Sequence, residues 1–301
     1  MNNCRICHGD ISESYVVKEM LIGLRESFEY IKCSACGCLQ IRDIPSNLSK
    51  YYPDNYYSLQ ISTKKKSRVI RDYIRKAVAL YNIQRKGIIG RLLAFFKSPD
   101  PIHLVYRRVG LKPSDKLLDV GGGAGAHVLS LFRIGFKSVM SVDPFILEDF
   151  YWGNVLIAKK LDFLDIQGKY DLITFHHSLE HMPAQLKIIK KASELIGQDG
   201  RILIRIPTVT STAWERYKEN WVNLDAPRHF YLHSHASIKL LAEQTGLKVL
   251  DFWSDSTSMQ FWGSEQYIRD IPLTDPCSYS QDKDASIFSS DQILDYQREA
   301  N

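Results

Sequence analysis

What the chain lacks narrows its class before any motif is read. No apolar run reaches the roughly 18 residues that a membrane-crossing helix needs. The start of the chain carries Asp10 and Glu13 and no long apolar core of the kind a secretory leader uses. The cytoplasm is therefore the expected compartment. Cysteine is sparse, six in 301 residues. In that compartment the six read as thiols or metal ligands rather than disulfides. What remains, 45% hydrophobic and 24% charged, is the composition of an ordinary globular chain. Its length allows one large domain with an appendage or two.

Four of the cysteines fall in two knuckles, Cys4-x-x-Cys7 and Cys33-x-x-Cys36. Paired CxxC spacing supplies four thiolates for a tetrahedral zinc ion. Tyr15-Val16-Val17 and Phe28–Ile31 read as short strands between the knuckles. A segment of this size buries too little apolar surface to fold without its metal. His8 and Cys38 adjoin the knuckles as spare ligands. No thioredoxin-like context surrounds either pair, which weighs against a redox role. The expected divisions are a ribbon-like domain over 1–45, a linking segment over 46–101, a main domain over 102–255 and an extension over 256–301.

The linking segment opens on four tyrosines around Pro53-Asp54-Asn55 and then turns strongly basic. Between Lys64 and Lys97 stand eleven basic residues against one acid, Asp72. Val69, Ile70, Tyr73, Ile74, Ala77, Val78 and Tyr81 recur at helical spacing. A basic amphipathic helix suits an anionic membrane surface, a nucleic acid or a phosphorylated substrate. A helical linker with a solvated basic face is the plainer alternative.

Everything is arranged around Leu117-Leu118-Asp119-Val120-Gly121-Gly122-Gly123-Ala124-Gly125-Ala126-His127. An apolar run reads as a buried strand, the glycines as a turn that lets a ligand reach the backbone, and the residues from Ala126 as a helix. From here strand and helix alternate, the grammar of an α/β fold with a doubly wound, mostly parallel sheet. The expected strands are Lys116–Val120, Ser138–Val142, Val155–Ala158, Tyr170–Phe175, Arg201–Ile206 and Leu247–Phe252. No seventh strand is legible after 253. Gly121-x-Gly123-x-x-Ala126 alone also satisfies a dinucleotide fingerprint. Asp119, however, sits where such a strand is usually apolar, and an acid there favours a cationic ligand.

The fuller pattern Asp119-x-Gly121-x-Gly123-x-Gly125 resembles motif I of the class I S-adenosylmethionine-dependent methyltransferases. Asp143, 18 residues beyond Gly125, and the segment His176-His177-Ser178-Leu179-Glu180-His181 complete the resemblance, which covers about 102–253. The latter segment is similar to motif IV of the ubiquinone-type branch. The resemblance implies that the glycine loop holds the methionine and ribose part of S-adenosylmethionine, with Asp119 near its amino group. Asp143 would hold both ribose hydroxyls, Asp162 or Asp165 would reach the adenine, and His176 and His177 would flank the sulfonium. The ribbon ahead of the domain is similar to that of some sugar methyltransferases.

The stretch between Thr208 and His233 reads as an insertion forming the acceptor pocket. It carries Trp214, Trp221, Asp225, Arg228 and His229. His229 and His181 compete as the general base, with Asp225 in reserve. The expected activity is O-methylation of a sugar or related small polar acceptor, nucleotide- or lipid-linked, in glycan or natural-product biosynthesis. Two rivals stand beside it. An RNA methyltransferase would use the basic segment, but the insertion lacks the Asn/Asp-Pro-Pro-Tyr type tetrapeptide of base-amine enzymes, which weighs against nucleic acid. A non-catalytic cofactor-binding scaffold is the other.

Overall fold

Short apolar-polar alternation between the cysteine knuckles produces β1 (Ile11–Lys18) and β2 (Ser27–Cys33), paired antiparallel with Tyr15 opposite Tyr30. β3 (Leu39–Ile41) adds to β2, and β10 (Tyr231–Leu232) adds to β3, giving the order β1-β2-β3-β10. This computed structural model describes residues 3–52, 69–96 and 99–300. Tyr56, Tyr57, the basic residues 64–68 and Lys97 lie outside the described residues.

The contacts divide the chain into two units. One joins Met1–Asp54 to Glu180–Ile189 and Ile206–Asn301; the other joins Asn55–Leu179 to Lys190–Arg205. The knuckle segment takes its fourth strand from 231–232 and shares one core with the insertion. In that core Trp214, Trp221, Leu224, Phe230 and Phe261 pack with Ile6, Val17, Tyr30 and Ile41. Each large apolar side chain so buried contributes roughly 1.5–3 kcal/mol. The two tryptophans, expected to line an acceptor pocket, are 2% and 1% exposed and belong to this core. Helices α6 (Thr212–Tyr217), α7 (His235–Gln244), α8 (Met259–Ile268) and α9 (Ser290–Ala300) complete the unit. Ser234 caps α7 in a capping box with Ser237.

The second unit holds a six-stranded sheet. Its strands are β4 (Leu117–Val120), β5 (Val139–Val142), β6 (Phe150–Trp152), β7 (Val155–Lys159), β8 (Tyr170–His176) and β9 (Ile196–Arg205), in the order β6-β7-β5-β4-β8-β9. All neighbours run parallel except β6 against β7. The mostly parallel, doubly wound α/β fold expected from the sequence is the fold observed. The order reverses at β4, where the chain winds first toward β7 and then toward β9. In such sheets ligands bind outside the carboxyl ends of the strands at that switch point. The motif strand is thus in the position that makes a site.

Leu247–Phe252, expected as a sixth parallel strand, forms no strand. Leu250 is 76% exposed, and Phe252 stacks on His235 instead, with ring centroids 4.2 Å apart. The edge strand β6 is its unexpected counterpart. No seventh strand follows among the described residues.

The basic segment forms α1 (Val69–Gln84) and α2 (Ile88–Ala94), followed by α3 (Pro101–Arg108), which Asp100 caps. The buried face of α1 differs from the expected one. Val78, Ala79 and Ile83 are buried, while Tyr73 and Ile74 face solvent. On and beyond α2, Ile88, Leu92, Phe95 and Phe96 are exposed among Arg85, Lys86 and Arg91. No described helix is long and apolar enough to cross a membrane.

Candidate functional site

In the sheet unit, Asp119 lies on the central strand and is 1% exposed. The Thr174 hydroxyl on β8 donates to its Oδ1 at 2.7 Å. Burial pushes its carboxyl up to about 7, so the group is poised to ionise when a cation arrives. Gly122 is required by close approach rather than by backbone angle: a Cβ there would stand 2.3 Å from Asp119 Oδ2 and 2.5 Å from Ser141 Oγ. Gly125 adopts φ 80° as the N-cap of α4 (Ala126–Ile134), a left-handed conformation that favours glycine. Ser178 ties the strand end down by donating to the Val120 carbonyl at 2.6 Å.

Asp143, after β5, is 6% exposed. The Gly123 N–H donates to its Oδ2 at 2.9 Å and the Phe145 N–H to its Oδ1 at 2.8 Å. Burial raises its pKa, against these two bonds. The carboxylate thus anchors the glycine loop, a task the sequence reading did not assign to it. A carboxylate oxygen accepts about two hydrogen bonds, so each oxygen can still take a hydroxyl. Asp162 is exposed and caps the turn at 163–165 by accepting the Leu164 N–H at 2.8 Å.

His176 ends β8 with its Nε2 3.0 Å from the Tyr106 hydroxyl; that hydroxyl also hydrogen-bonds His127 Nε2. The His176 and His127 rings meet at 4.9 Å. Burial pushes the His127 pKa down to about 4 and that of His176 down to about 2, which keeps both rings neutral near pH 7. His176 Nδ1 is buried without a protein partner, a polar atom that a ligand can satisfy. His177 follows in a left-handed conformation, φ 50°, its N–H donating to the Arg205 carbonyl at 2.9 Å. Tyr106 stands in no motif, and His127, at the end of the organising stretch, carried no assigned role. A hydroxyl shared by two imidazoles is visible only in three dimensions.

The other unit contains its own polar cluster. Arg228 is fully buried and grips Asp225 at 2.6 and 3.0 Å, Glu19 Oε1 at 3.1 Å and the Tyr51 carbonyl at 2.7 Å. Glu19 in turn accepts N–H groups of Leu21, Ile22 and Leu24. Burial alone would raise the Asp225 pKa, but the Arg228 guanidinium, with His229, brings it down to about 2. Arg228 and Asp225 thus form a structural fork. Asp225, named from the sequence as a base in reserve, is anchored by Arg228.

Behind that fork, His229 Nδ1 is 2.8 Å from the Asn223 carbonyl oxygen, and His181 Nδ1 is 2.8 Å from the Arg228 carbonyl oxygen. The two expected base candidates are brought together, with ring centroids 4.7 Å apart. Fully buried Glu180 lies with its Oε1 3.9 Å from His229 Nε2. Burial, with His181 beside it, pushes the His229 pKa down to about 4. The ring is neutral at pH 7 and able to accept a proton. The Tyr30 hydroxyl donates to the His229 carbonyl at 2.8 Å, and the Phe230 N–H to that of Glu180 at 2.8 Å, fixing both backbones.

Cys4, Cys7, Cys33 and Cys36 place their sulfurs within 4.8 Å of one another. Cys4 and Cys36 stand 3.6 Å apart, Cys7 and Cys33 3.4 Å. A tetrahedron with metal–sulfur bonds of about 2.3 Å has edges of about 3.8 Å, so the four thiols fit one ion. The Ile6 N–H points at Cys4 Sγ and the Cys36 N–H at Cys33 Sγ. Cys38 is buried outside the cluster, and His8 is not part of it, so neither spare ligand is used.

Three solved structures match parts of the chain. A coclaurine N-methyltransferase bound to N-methylheliamine and SAH matches at 20% identity and TM-score 0.42, over 62% of this chain and 58% of that one. The magnesium protoporphyrin IX methyltransferase of Synechocystis PCC 6803, with bound SAH, matches at 17% and 0.38, over 64% and 84%. A SAM-dependent methyltransferase from Archaeoglobus fulgidus matches at 16% and 0.41, over 56% and 78%. No curated protein matches the chain by sequence. The model of a family described as a methyltransferase domain matches residues 81–251, more than half of the chain. That span contains the buried acid, the glycine loop it abuts and the acid that anchors the loop. The chain belongs to the methyltransferase-domain family and is an S-adenosylmethionine-dependent methyltransferase.

Proposed function

We propose that this enzyme methylates an oxygen of a sugar or related small polar acceptor, nucleotide- or lipid-linked, in cytoplasmic glycan or natural-product biosynthesis. The observation that carries the reading is the pair His181 and His229 beside Glu180. A neutral hydroxyl is a poor nucleophile toward a methyl group until a base takes its proton. A cluster of proton-accepting groups therefore suits an oxygen nucleophile.

S-adenosylmethionine, when bound, supplies an electrophilic methyl on a sulfonium, which leaves as a neutral thioether. The chain's own residues position and neutralise. Asp119 would hold the cofactor's ammonium, Asp143 would accept from the ribose hydroxyls, and Asp162 would reach the adenine. His176 and His177, at the end of β8, would flank the sulfonium. The Glu180–His181–His229 cluster is where the acceptor hydroxyl is activated. The four cysteines hold a structural zinc that keeps the short strands of their unit together. The exposed Ile88, Leu92, Phe95 and Phe96 among basic residues rest on an anionic membrane surface.

The test is transfer of labelled methyl from S-adenosylmethionine to nucleotide-linked sugars, lipid-linked sugars and RNA in parallel. Labelled sugar whose product carries an O-methyl group by NMR supports the reading. Labelled RNA in its place establishes the nucleic-acid rival, and cofactor binding with no labelled product in extracts of the host leaves a scaffold.

A further inference from the structure

Glu180, His181 and His229 bring a carboxylate and two imidazoles together with their ligating atoms within 4.8 Å of one another. Both rings are fixed from behind. A backbone carbonyl can only accept, so the Nδ1 atoms facing the Arg228 and Asn223 carbonyls must both carry the proton. In its neutral form each ring therefore holds its lone pair on Nε2. Two lone-pair nitrogens cannot hydrogen-bond each other, and the adjacent carboxylate offers further lone pairs. Acceptors gathered this closely suit a cation. Ring N–H groups anchored on backbone carbonyls are also the usual means of orienting metal-ligating histidines.

The surrounding charge has the same sign preference. Asp225 Oδ2 lies 3.7 Å from His229 Nε2, and Glu180 Oε1 lies 3.9 Å from it. The guanidinium nearby, Arg228, is divided between Asp225 and Glu19, two carboxylates for one cation.

We propose that Glu180, His181 and His229 form a divalent-cation site, separate from the four-cysteine cluster. Two imidazoles and a carboxylate suit a first-row transition ion, zinc, iron or cobalt, rather than magnesium or calcium. Three protein ligands leave positions open, as in catalytic rather than structural sites. The His229 side chain keeps 11% of its surface exposed, so the ion can be reached. The open positions take oxygens of the acceptor, and a cation there makes a bound hydroxyl more acidic, so that in the metal-loaded state the cluster activates the hydroxyl through the ion rather than by a free imidazole taking its proton. That use rests on the O-methylation reading; the existence of the site does not.

The experiment uses the full-length protein dialysed against Co²⁺, with total bound metal counted by elemental analysis and visible spectra recorded. Two ions per chain are expected, one marked by thiolate charge-transfer bands and one showing only the weaker bands of nitrogen and oxygen ligation. His181→Ala and His229→Ala should each weaken the second ion by about tenfold or more and leave the thiolate bands unchanged. Glu180→Gln, which keeps the buried volume, should do the same, with circular dichroism reporting the fold of every variant. One ion in the folded wild type, or a second ion that survives both histidine variants, overturns the site. Methyl transfer is measured apart. A second ion without O-methylated product sinks the functional reading alone, and product without a second ion sinks the cation site alone.

Discussion

His181 and His229 meet nearly edge to face, their planes at 67°, and each is turned the same way by a backbone carbonyl on its Nδ1. Residues 48 positions apart in the chain are thereby given one protonation pattern. His229→Ala should lower turnover about 10²–10⁴-fold while cofactor affinity stays near that of the wild type. Steady-state kinetics with calorimetry checks it; near-native turnover would reduce His229 to scaffold.

Asp143 serves loop and ligand together. Asp143→Ala removes the acceptor for the Gly123 N–H and, on the proposed binding mode, for two ribose hydroxyls. The loss of charged hydrogen bonding is roughly 1.5–3 kcal/mol, or at least about tenfold in affinity for S-adenosylmethionine. Unchanged affinity by calorimetry would defeat the assignment.

Asp119 gives cofactor binding a pH dependence of defined sign. Burial has raised its pKa to about 7, so below that pH the empty protein holds a proton there that a cationic ligand must displace. Affinity should fall by up to about tenfold per pH unit as pH drops below 7 and level off above it. In the empty fold the same raised pKa works oppositely: this group's contribution is present at low pH and lost as pH rises between about 4 and 7. The cofactor's thermal stabilisation should therefore be larger at pH 8 than at pH 5.5. An Asp119→Asn variant whose pH profile matches the wild type would exclude this carboxyl as the cause.

Chelation provides a fourth test. Stripping the thiolate-bound ion should expose the amides of β1, β2 and β3 to hydrogen exchange while β4 and β5 stay protected. Protection of the first three strands in metal-free protein would show that their packing alone suffices.

The basic helices provide a fifth. Flotation with liposomes should rise with the fraction of anionic lipid and fall with salt, since exposed charges are screened over about 10 Å at 0.1 M. Replacing Phe95 and Phe96 by Ser should abolish it. Binding indifferent to lipid charge would return the segment to the role of linker.

The sequence made β4 and its loop readable because an acid and three spaced glycines leave few alternatives to a ligand-binding turn. Asp143, His181 and His229 could be singled out for the same reason, since polar groups at strand ends and in a loop stand out against an apolar background. Other features depend on partners remote in the chain. Tyr231–Leu232 is two residues long and becomes a strand only because Leu39 and Gln40 lie opposite it. Leu247–Phe252 has strand-like composition but no strand beside it, and a strand without a neighbour has no hydrogen bonds to make. Trp214 and Trp221 looked like pocket walls because sequence does not distinguish an aromatic facing a ligand from one facing Tyr15 or another tryptophan. Arg228 read as a pocket residue for the same reason, its partner Glu19 being 209 residues away.

The strand lent by residues 231–232 makes the cysteine segment and the histidine loop one inheritable piece. Deleting the first 45 residues would remove Glu19 from Arg228, Tyr30 from the His229 carbonyl and β3 from β10. It would leave a buried guanidinium with half its counter-charge. A chimera that exchanges the loop at 208–233 between two such enzymes should fold only when the N-terminal segment travels with it. Any change of acceptor preference would then be found in paired changes at the two ends of the chain.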